Sequence, residues 1–466
     1  MTHPAQNPPR DRGPAAAAAS RDRGPAAAAA GELAAEMRRR APRGVRPSSG
    51  AVQSWHRVSG RFAEGAVRDL SVQQGEATAA RYLGADGLIH RAVPGFDPRA
   101  ARLDRFPDVG RATGPATEPP RWLEIGAVVS SLGRLEEAAR SLDPEVAQVV
   151  IDFELSDQET ALVSGADTAP PRTDHRLLSY LSVRVVARRG ERVATGFYTP
   201  GVSGRLDRID MEACGAEVAR RAVAGLDARP APVGRMPVVV AGGRGMVLLH
   251  EACCHPLEGD EVARGSVYAG QIGERIASPL VQVRDDSTVP GAVGSYRCDD
   301  EGTEARSTTV IEEGRLTAYL TDHDSAARLG TAPSGNGRCT TVQQPPLPRM
   351  TNTCLAAGTS SVDEIIADTP FGIYAEHVGG GEVIEATGEF TFRVTNGWLI
   401  ENGRITDPVR ETTIAGLGTE VLRDIDAVAD DVTVGAAKCG KFGQWVPVGV
   451  IGPTLRVRSL LVGGTQ

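Results

Sequence analysis

Three prolines fall within eleven residues in the stretch DARPAPVGRMP, Asp227–Pro237. Proline breaks a helix interior and withholds a ladder donor from a sheet, so a domain boundary is expected here. The chain must divide there, and its hydrophobic texture differs on the two sides. Upstream, Leu132, Leu135, Ala139 and Leu142 recur at helical spacing. VAQVVIDFEL (Val146–Leu155) reads as a strand, and LLSYLSVRVVARRGERVATGFYT as a hairpin turning near Gly190. Leu206–Leu226 reads as a helix carrying Met211, Val218, Ala222 and Val223. Downstream, PVVVAGGRGMVLLHEACCH reads as a strand, a glycine turn and a helix. From Val262 onward short β-runs dominate, as in TTVIEEGRLTAYL, GEFTFRVTNGWLIENGRITDPV and PTLRVRSLLVGG, with EEGR and ENGR where hairpin turns belong. The expectation is an α+β protein of two domains. Residues 51–232 form an N-terminal α+β domain, and residues 233–466 a C-terminal, mostly β, barrel-like domain.

Residues 1–50 are set apart. RDRGPAAAAAS (Arg10–Ser20) is followed at once by RDRGPAAAAAG (Arg21–Gly31). Two copies with no core-forming residues do not make a solenoid. The alanine runs are too short for a stable isolated helix, so a disordered low-complexity tail is expected, with order beginning near Ser54. A transit peptide is the competing reading; Asp11 and Asp22 and the Gly-Pro breaks count against it. VQQGEATAARYLGADGLIHRAVPGF reads as short strands punctuated by glycine, and Asp97–Arg121 as a long loop.

Composition closes off several classes. A net charge of −8 does not favour nucleic acid as a partner. No apolar run reaches the ~18 residues that span a bilayer, and no secretory signal opens the chain, so a cytoplasmic, membrane-free protein is expected. The seven cysteines are odd in number and scattered, which is not a disulfide framework.

The chemistry concentrates in VLLHEACCHPLEGD, Val247–Asp260. His250 is followed at once by Glu251, and His255 comes five residues after His250. On a regular α-helix, positions five apart differ by ~140°, whereas positions four apart differ by ~40°. The two imidazoles can share one ion only if the helix widens by a π-type turn or ends between them. Two imidazoles also leave a catalytic zinc short of a third protein ligand. The candidate is Cys439 in AAKCGKFGQ, where Lys438 and Lys441 are expected to favour the thiolate. Glu251 would then act as the general base. From spacing alone, a metal site and two unrelated histidines remain even alternatives, and Cys439 alone reads better as a buried structural thiol. The paired acids Asp285–Asp286 and Asp299–Asp300–Glu301 lack calcium-loop spacing and read as solvated hairpin turns.

LLHEACCHPLEGD, DDEGTEARSTTVIEEGRL, SGNGR, PRMTNTCL, FGIYAEHVGGGEV, GEFTF, LIENGRI and CGKFGQWVPVGVIGPTLRV follow one another in this chain. In that order and style the sequence resembles the TldD/PmbA family. The resemblance runs through nearly all of Pro237–Gly464 and is weaker upstream, where it lies mostly after Trp122. It implies a metallopeptidase with one Zn2+ per chain, held by His250, His255 and Cys439, with Glu251 as catalytic base. It implies unfolded peptide substrates, either in leader removal from ribosomal peptide natural products or in degradation of small unstable proteins. It further implies a chamber in which an extended peptide is held by backbone pairing, within a heterodimer with a PmbA/TldE-type subunit or within a homodimer. Arg349 and Asn352 would orient substrate, and Gly379 and Gly380 would line the channel. The family usually has glycine where this chain has Cys254, which is either a packing change or a second thiol competing with Cys439. The rival functions are a specialised enzyme cleaving an amide in a small natural-product intermediate, and a non-catalytic partner subunit.

Overall fold

The computed structural model describes residues 25–40, 46–83, 89–92, 121–164 and 170–464. The upstream half is built on one antiparallel sheet. Its strands run in the spatial order Ile89–Ala92, Ala66–Leu83, Arg46–Ala63, Val146–Ser164, Arg172–Arg189 and Arg192–Tyr198. The hairpin expected near Gly190 is present, and Gly190 supplies the positive φ (60°) that its turn requires. Two helices, Ile125–Leu142 and Met211–Gly225, cover the sheet and bury Leu132, Leu135, Ala139, Val218 and Ala222 against Ile151, Phe153, Leu181 and Val183. Their approach is set by Gly215, where a Cβ would lie 2.3 Å from the Leu135 carbonyl.

The N-terminal expectation is corrected over part of its length. Pro25–Arg40 is a helix, and strand structure begins at Arg46. Ala26, Ala27, Ala30, Leu33, Ala34 and Met37 form one apolar stripe, packed on Val52, Ala80, Ala161 and Val163. An alanine-rich helix of this length is marginal in isolation, whereas tertiary packing holds this one. Residues 1–24 and most of the expected loop Asp97–Arg121 lie outside the described residues. Ala66–Leu83 is also one continuous strand rather than several short ones.

The downstream half contains a closed barrel of five strands. Gly234–Val240, Leu455–Gly464, Thr412–Leu417, Glu389–Glu401 and Phe371–Ile384 pair in a ring, the last with the first. Beside it lies a six-stranded sheet in the order Arg315–Leu316, Ser307–Glu312, Val283–Asp286, Asn352–Leu355, Gln444–Gly452 and Thr433–Lys441. Both expected hairpin turns are type I′-like, with positive φ at Glu313–Gly314 and at Asn402–Gly403. The segment between the first barrel strand and the second sheet carries the histidines. Among the described residues no helix is long and apolar enough to cross a membrane.

Candidate metal centre

From Gly243 the chain winds through a 3-10 turn and one α-turn, Val247–Leu249, into a π-helical turn, His250–Cys254, and then a second 3-10 turn, His255–Leu257. The His255 N–H donates to the His250 carbonyl, an i→i+5 bond. This is the widening that the five-residue spacing demands. It is anchored on its other faces by Leu248, Leu249, Ala252, Cys253 and Leu257, all fully buried in the main core. The two imidazoles consequently meet edge to face, with centroids 5.1 Å apart and planes at 86°.

Cys439 arrives from the edge strand Thr433–Lys441 of the six-stranded sheet. This strand turns back at Phe442–Gly443, both of positive φ, and Cys439 sits opposite Val446. Its Sγ lies 3.1 Å from His255 Nε2. One ligand atom from each of His250, His255 and Cys439 falls within 4.8 Å of the others, and all three residues are buried. The Glu251 carboxylate stands 3.5 Å from His255 Nε2, with its side chain still 21% exposed.

The outer atoms of both rings are held. His255 Nδ1 is 3.1 Å from Glu258 Oε2. A carboxylate only accepts, so Nδ1 carries a proton toward Glu258, and loss of the Nε2 proton to an incoming ion would leave that nitrogen's lone pair bare on the side of the sulfur. His250 Nδ1 is 3.1 Å from the Thr353 hydroxyl, while its Nε2 is buried with no hydrogen-bond partner among the described residues. Arg349 is fully buried, and its Nη2 donates to the Cys439 carbonyl at 2.6 Å.

The electrostatics follow this geometry. Burial alone would raise the Cys439 thiol, but the imidazoles of His255 and His250 and the Arg349 guanidinium hold it well below the ordinary thiol range. Burial would likewise lower His255, yet Cys439, Glu258 and Glu251 push it well above the usual imidazole value. The two shifts describe one thiolate–imidazolium contact. Burial raises the Glu251 carboxyl against the opposing pull of His255 and His250. Glu258 is depressed to about 2, because Lys441 and His255 outweigh its burial.

Several sequence-based expectations are corrected here. Neither lysine beside Cys439 acts on the thiol directly. Lys438 leaves the opposite face of the strand to reach Glu154 at 2.6 Å and the Tyr180 ring, and Lys441 pairs with Glu258. Arg349 and Asn352 have no exposed surface with which to touch a substrate. The Asn352 side chain is spent on Gly294 N, the Asp286 carbonyl and Ser295 Oγ. Cys254 does not belong to the three-residue cluster; its thiol interacts with Cys253 and Thr353. Gly379 is buried and Gly380 exposed, at an irregular stretch of the barrel strand Phe371–Ile384. Asp285 and Asp299 are buried rather than solvated. The sequence did not single out Glu258 or Thr353, nor the pairing of Lys441 with Glu258. Only Glu258 carried a local signal, three residues beyond His255 on a tight helical turn.

The donor set fits a zinc ion: two neutral nitrogens and one thiolate leave a fourth tetrahedral position open. The orphaned Nε2 of His250 is the atom that such an ion would satisfy.

Comparison with known proteins agrees with this chemistry. Residues 118–226 match the PmbA/TldA metallopeptidase central domain, and residues 233–464 the C-terminal domain of the same family. The "Metalloprotease TldD homolog" of Haemophilus influenzae is 38% identical over 362 residues, covering 75% of each chain. The "Metalloprotease" of Methanothermobacter thermautotrophicus is 37% identical over 337 residues, covering 70% of this chain and 72% of its own. The "Zinc metalloprotease TldD homolog" of Saccharolobus solfataricus is 31% identical over 289 residues, covering 61% and 65%. Among solved structures, TldE of Thermococcus kodakarensis superposes with a TM-score of 0.74 at 19% identity, covering 94% of this chain and all of its own. A protein titled as a putative modulator of a DNA gyrase, from Thermotoga maritima, gives 0.75 at 21% identity, covering 93% and 98%. At those identities the likeness speaks to fold alone. The chain belongs to the PmbA/TldD metallopeptidase family.

Proposed function

We propose that this chain is a zinc peptidase in which His250, His255 and Cys439 hold one zinc ion and Glu251 is the general base. The observation that carries the proposal is the convergence of three buried donor atoms within 4.8 Å, one of them, His250 Nε2, without any other partner among the described residues. When bound, zinc lowers the pKa of a coordinated water to about 7 and polarises a carbonyl. The rest is done by the chain. Glu258 and Thr353 fix the two rings from their outer nitrogens. Glu251, adjacent to His250 and 3.5 Å from His255 Nε2, takes the proton from the attacking water and delivers it to the leaving amine. Burial raises its carboxyl above the ordinary range, the direction that favours a group which must accept a proton and later return it.

Peptides are the substrate class, in processing of a precursor peptide or turnover of small unstable proteins. Gly379 and Gly380 are proposed as part of the channel wall. Partnership with a PmbA/TldE-type subunit, or pairing with a second copy, is part of the same proposal; the shared fold with TldE supports it. The test is zinc content together with cleavage of unfolded peptides, with and without such a subunit. About one zinc per chain and metal-dependent cleavage are expected. Peptide cleavage that survives complete metal removal would contradict the proposal.

A further inference from the structure

Lys441 lies two residues after Cys439 on the same strand, so both side chains leave the same face. Its ammonium group, with the side chain only 5% exposed, meets three carboxylates: Glu258 Oε2 at 2.7 Å, Asp260 Oδ1 at 2.6 Å and Glu261 Oε1 at 3.2 Å. All three belong to the segment that runs on directly from His255. The Glu258 oxygen that receives Lys441 is the same oxygen that faces His255 Nδ1. An ammonium has three N–H donors, and here each has an acid to meet. Besides His255, Glu258 has little else to balance its charge: Arg349 Nε stands 3.9 Å away, and Glu258 Oε1 has no hydrogen-bond partner among the described residues.

We propose that Lys441 is a positioning residue that staples the strand bearing Cys439 to the segment bearing His255, setting the imidazole against the sulfur before any ion arrives. The inference rests on the metal-centre reading above. Its physical content is a single path, Lys441 to Glu258 to His255, that joins two ligands 184 residues apart in sequence. Cutting the path frees the His255 ring to turn and leaves Glu258 buried with its main counter-charge gone. A lysine that served stability alone would leave zinc affinity of the folded protein unchanged.

Zinc affinity of the full chain, measured by competition with a chromophoric chelator, tests this alongside thermal melting of the metal-free protein. Lys441→Met and Glu258→Gln should each weaken zinc about 10–100-fold, the range for outer-shell partners. Because the two act through one path, Lys441→Met/Glu258→Gln should be no weaker than the poorer single variant. Lys441→Arg, which keeps the charge, should recover part of the affinity. Parent-like affinity in Lys441→Met, or losses that multiply in the double variant, would overturn the proposal while leaving the metal centre standing. If Lys441→Met alone does not fold, the charge-balanced double variant decides: weakened zinc is expected, and parent-like affinity overturns the staple. Failure of the parent to bind zinc, or full affinity in Cys439→Ser, would instead overturn the metal-centre reading itself.

Discussion

Two buried polar clusters lie in the downstream half, and they are finished differently. Around Asp285 and Asp299 each acid is consumed by the fold. Asp285 accepts from Thr351 N, Thr351 Oγ1 and Asn336 Nδ2, at 2.7–2.8 Å. Asp299 accepts from the backbone N–H groups of Glu301, Thr303 and Gly337, at 2.8–3.0 Å. Around His250, His255 and Cys439 the outer atoms are satisfied while the inner ones are not: an Nε2 is orphaned and a thiol is held far below its ordinary range. Buried acids saturated by backbone and side-chain donors build loops. Buried donors left open toward one another invite an ion.

The contrast can be broken at several points. The largest effect is expected from Glu251→Ala, which should lower peptide turnover by about 10²–10⁴-fold while zinc content stays at the parent level, because the residue moves protons and holds no ligand place. Loss of zinc in that variant, measured by metal analysis after dialysis, would make Glu251 a ligand. Next come the sulfurs. Cys439→Ser should weaken zinc by more than about 100-fold, beyond the range for loss of an outer-shell contact. Cys254→Ser, whose thiol faces Cys253 and Thr353, should leave affinity nearly unchanged. A reversed order would mean that the wrong sulfur has been assigned.

The saturated cluster should respond in stability alone. Asp299→Ala leaves the buried N–H of Gly337 and the part-buried N–H groups of Glu301 and Thr303 without their acceptor and should cost about 1–3 kcal/mol in denaturant unfolding, with zinc affinity unaltered. The smallest effect depends on pH. Burial, with Asp322 and Asp299 adding to it, pushes Glu301 up to about 8 from an ordinary value of 4.5. Its folded value lies above its unfolded one, so its contribution to stability is fully present below pH 4.5 and is lost as pH rises through about 8. Glu301→Gln removes that loss. The melting temperature of the variant relative to the parent should therefore climb by about 2–4 °C between about pH 5 and pH 8.5. A flat difference across that interval would show that Glu301 titrates normally.

The same contrast marks what could be read without coordinates. The π-turn was legible because the spacing of His250 and His255 conflicts with a 3.6-residue period, and only a widened or ended helix resolves the conflict. The hairpins at Gly314 and Gly403 were legible because a glycine ends each two-residue turn where positive φ is required, with the favoured Asn-Gly pair in the second. The Pro25–Arg40 helix was not, since its stability comes from a sheet face far along the chain. Nor was the role of Lys441, whose acids sit about 180 positions earlier. Asp285 and Asp299 were misjudged because polar residues in turn-rich sequence read as exposed, and nothing local reveals that N–H groups and other donors have closed around them, whereas the substrate role of Arg349 and Asn352 rested on the family resemblance alone, and both are buried.

The most direct measurement is X-ray absorption at the zinc edge of the purified full chain, set beside Cys439→Ser. The account predicts one sulfur and two imidazole nitrogens around the ion in the parent, with the sulfur signal gone in the variant. A parent shell with no sulfur, or a sulfur signal that persists in Cys439→Ser, would contradict it.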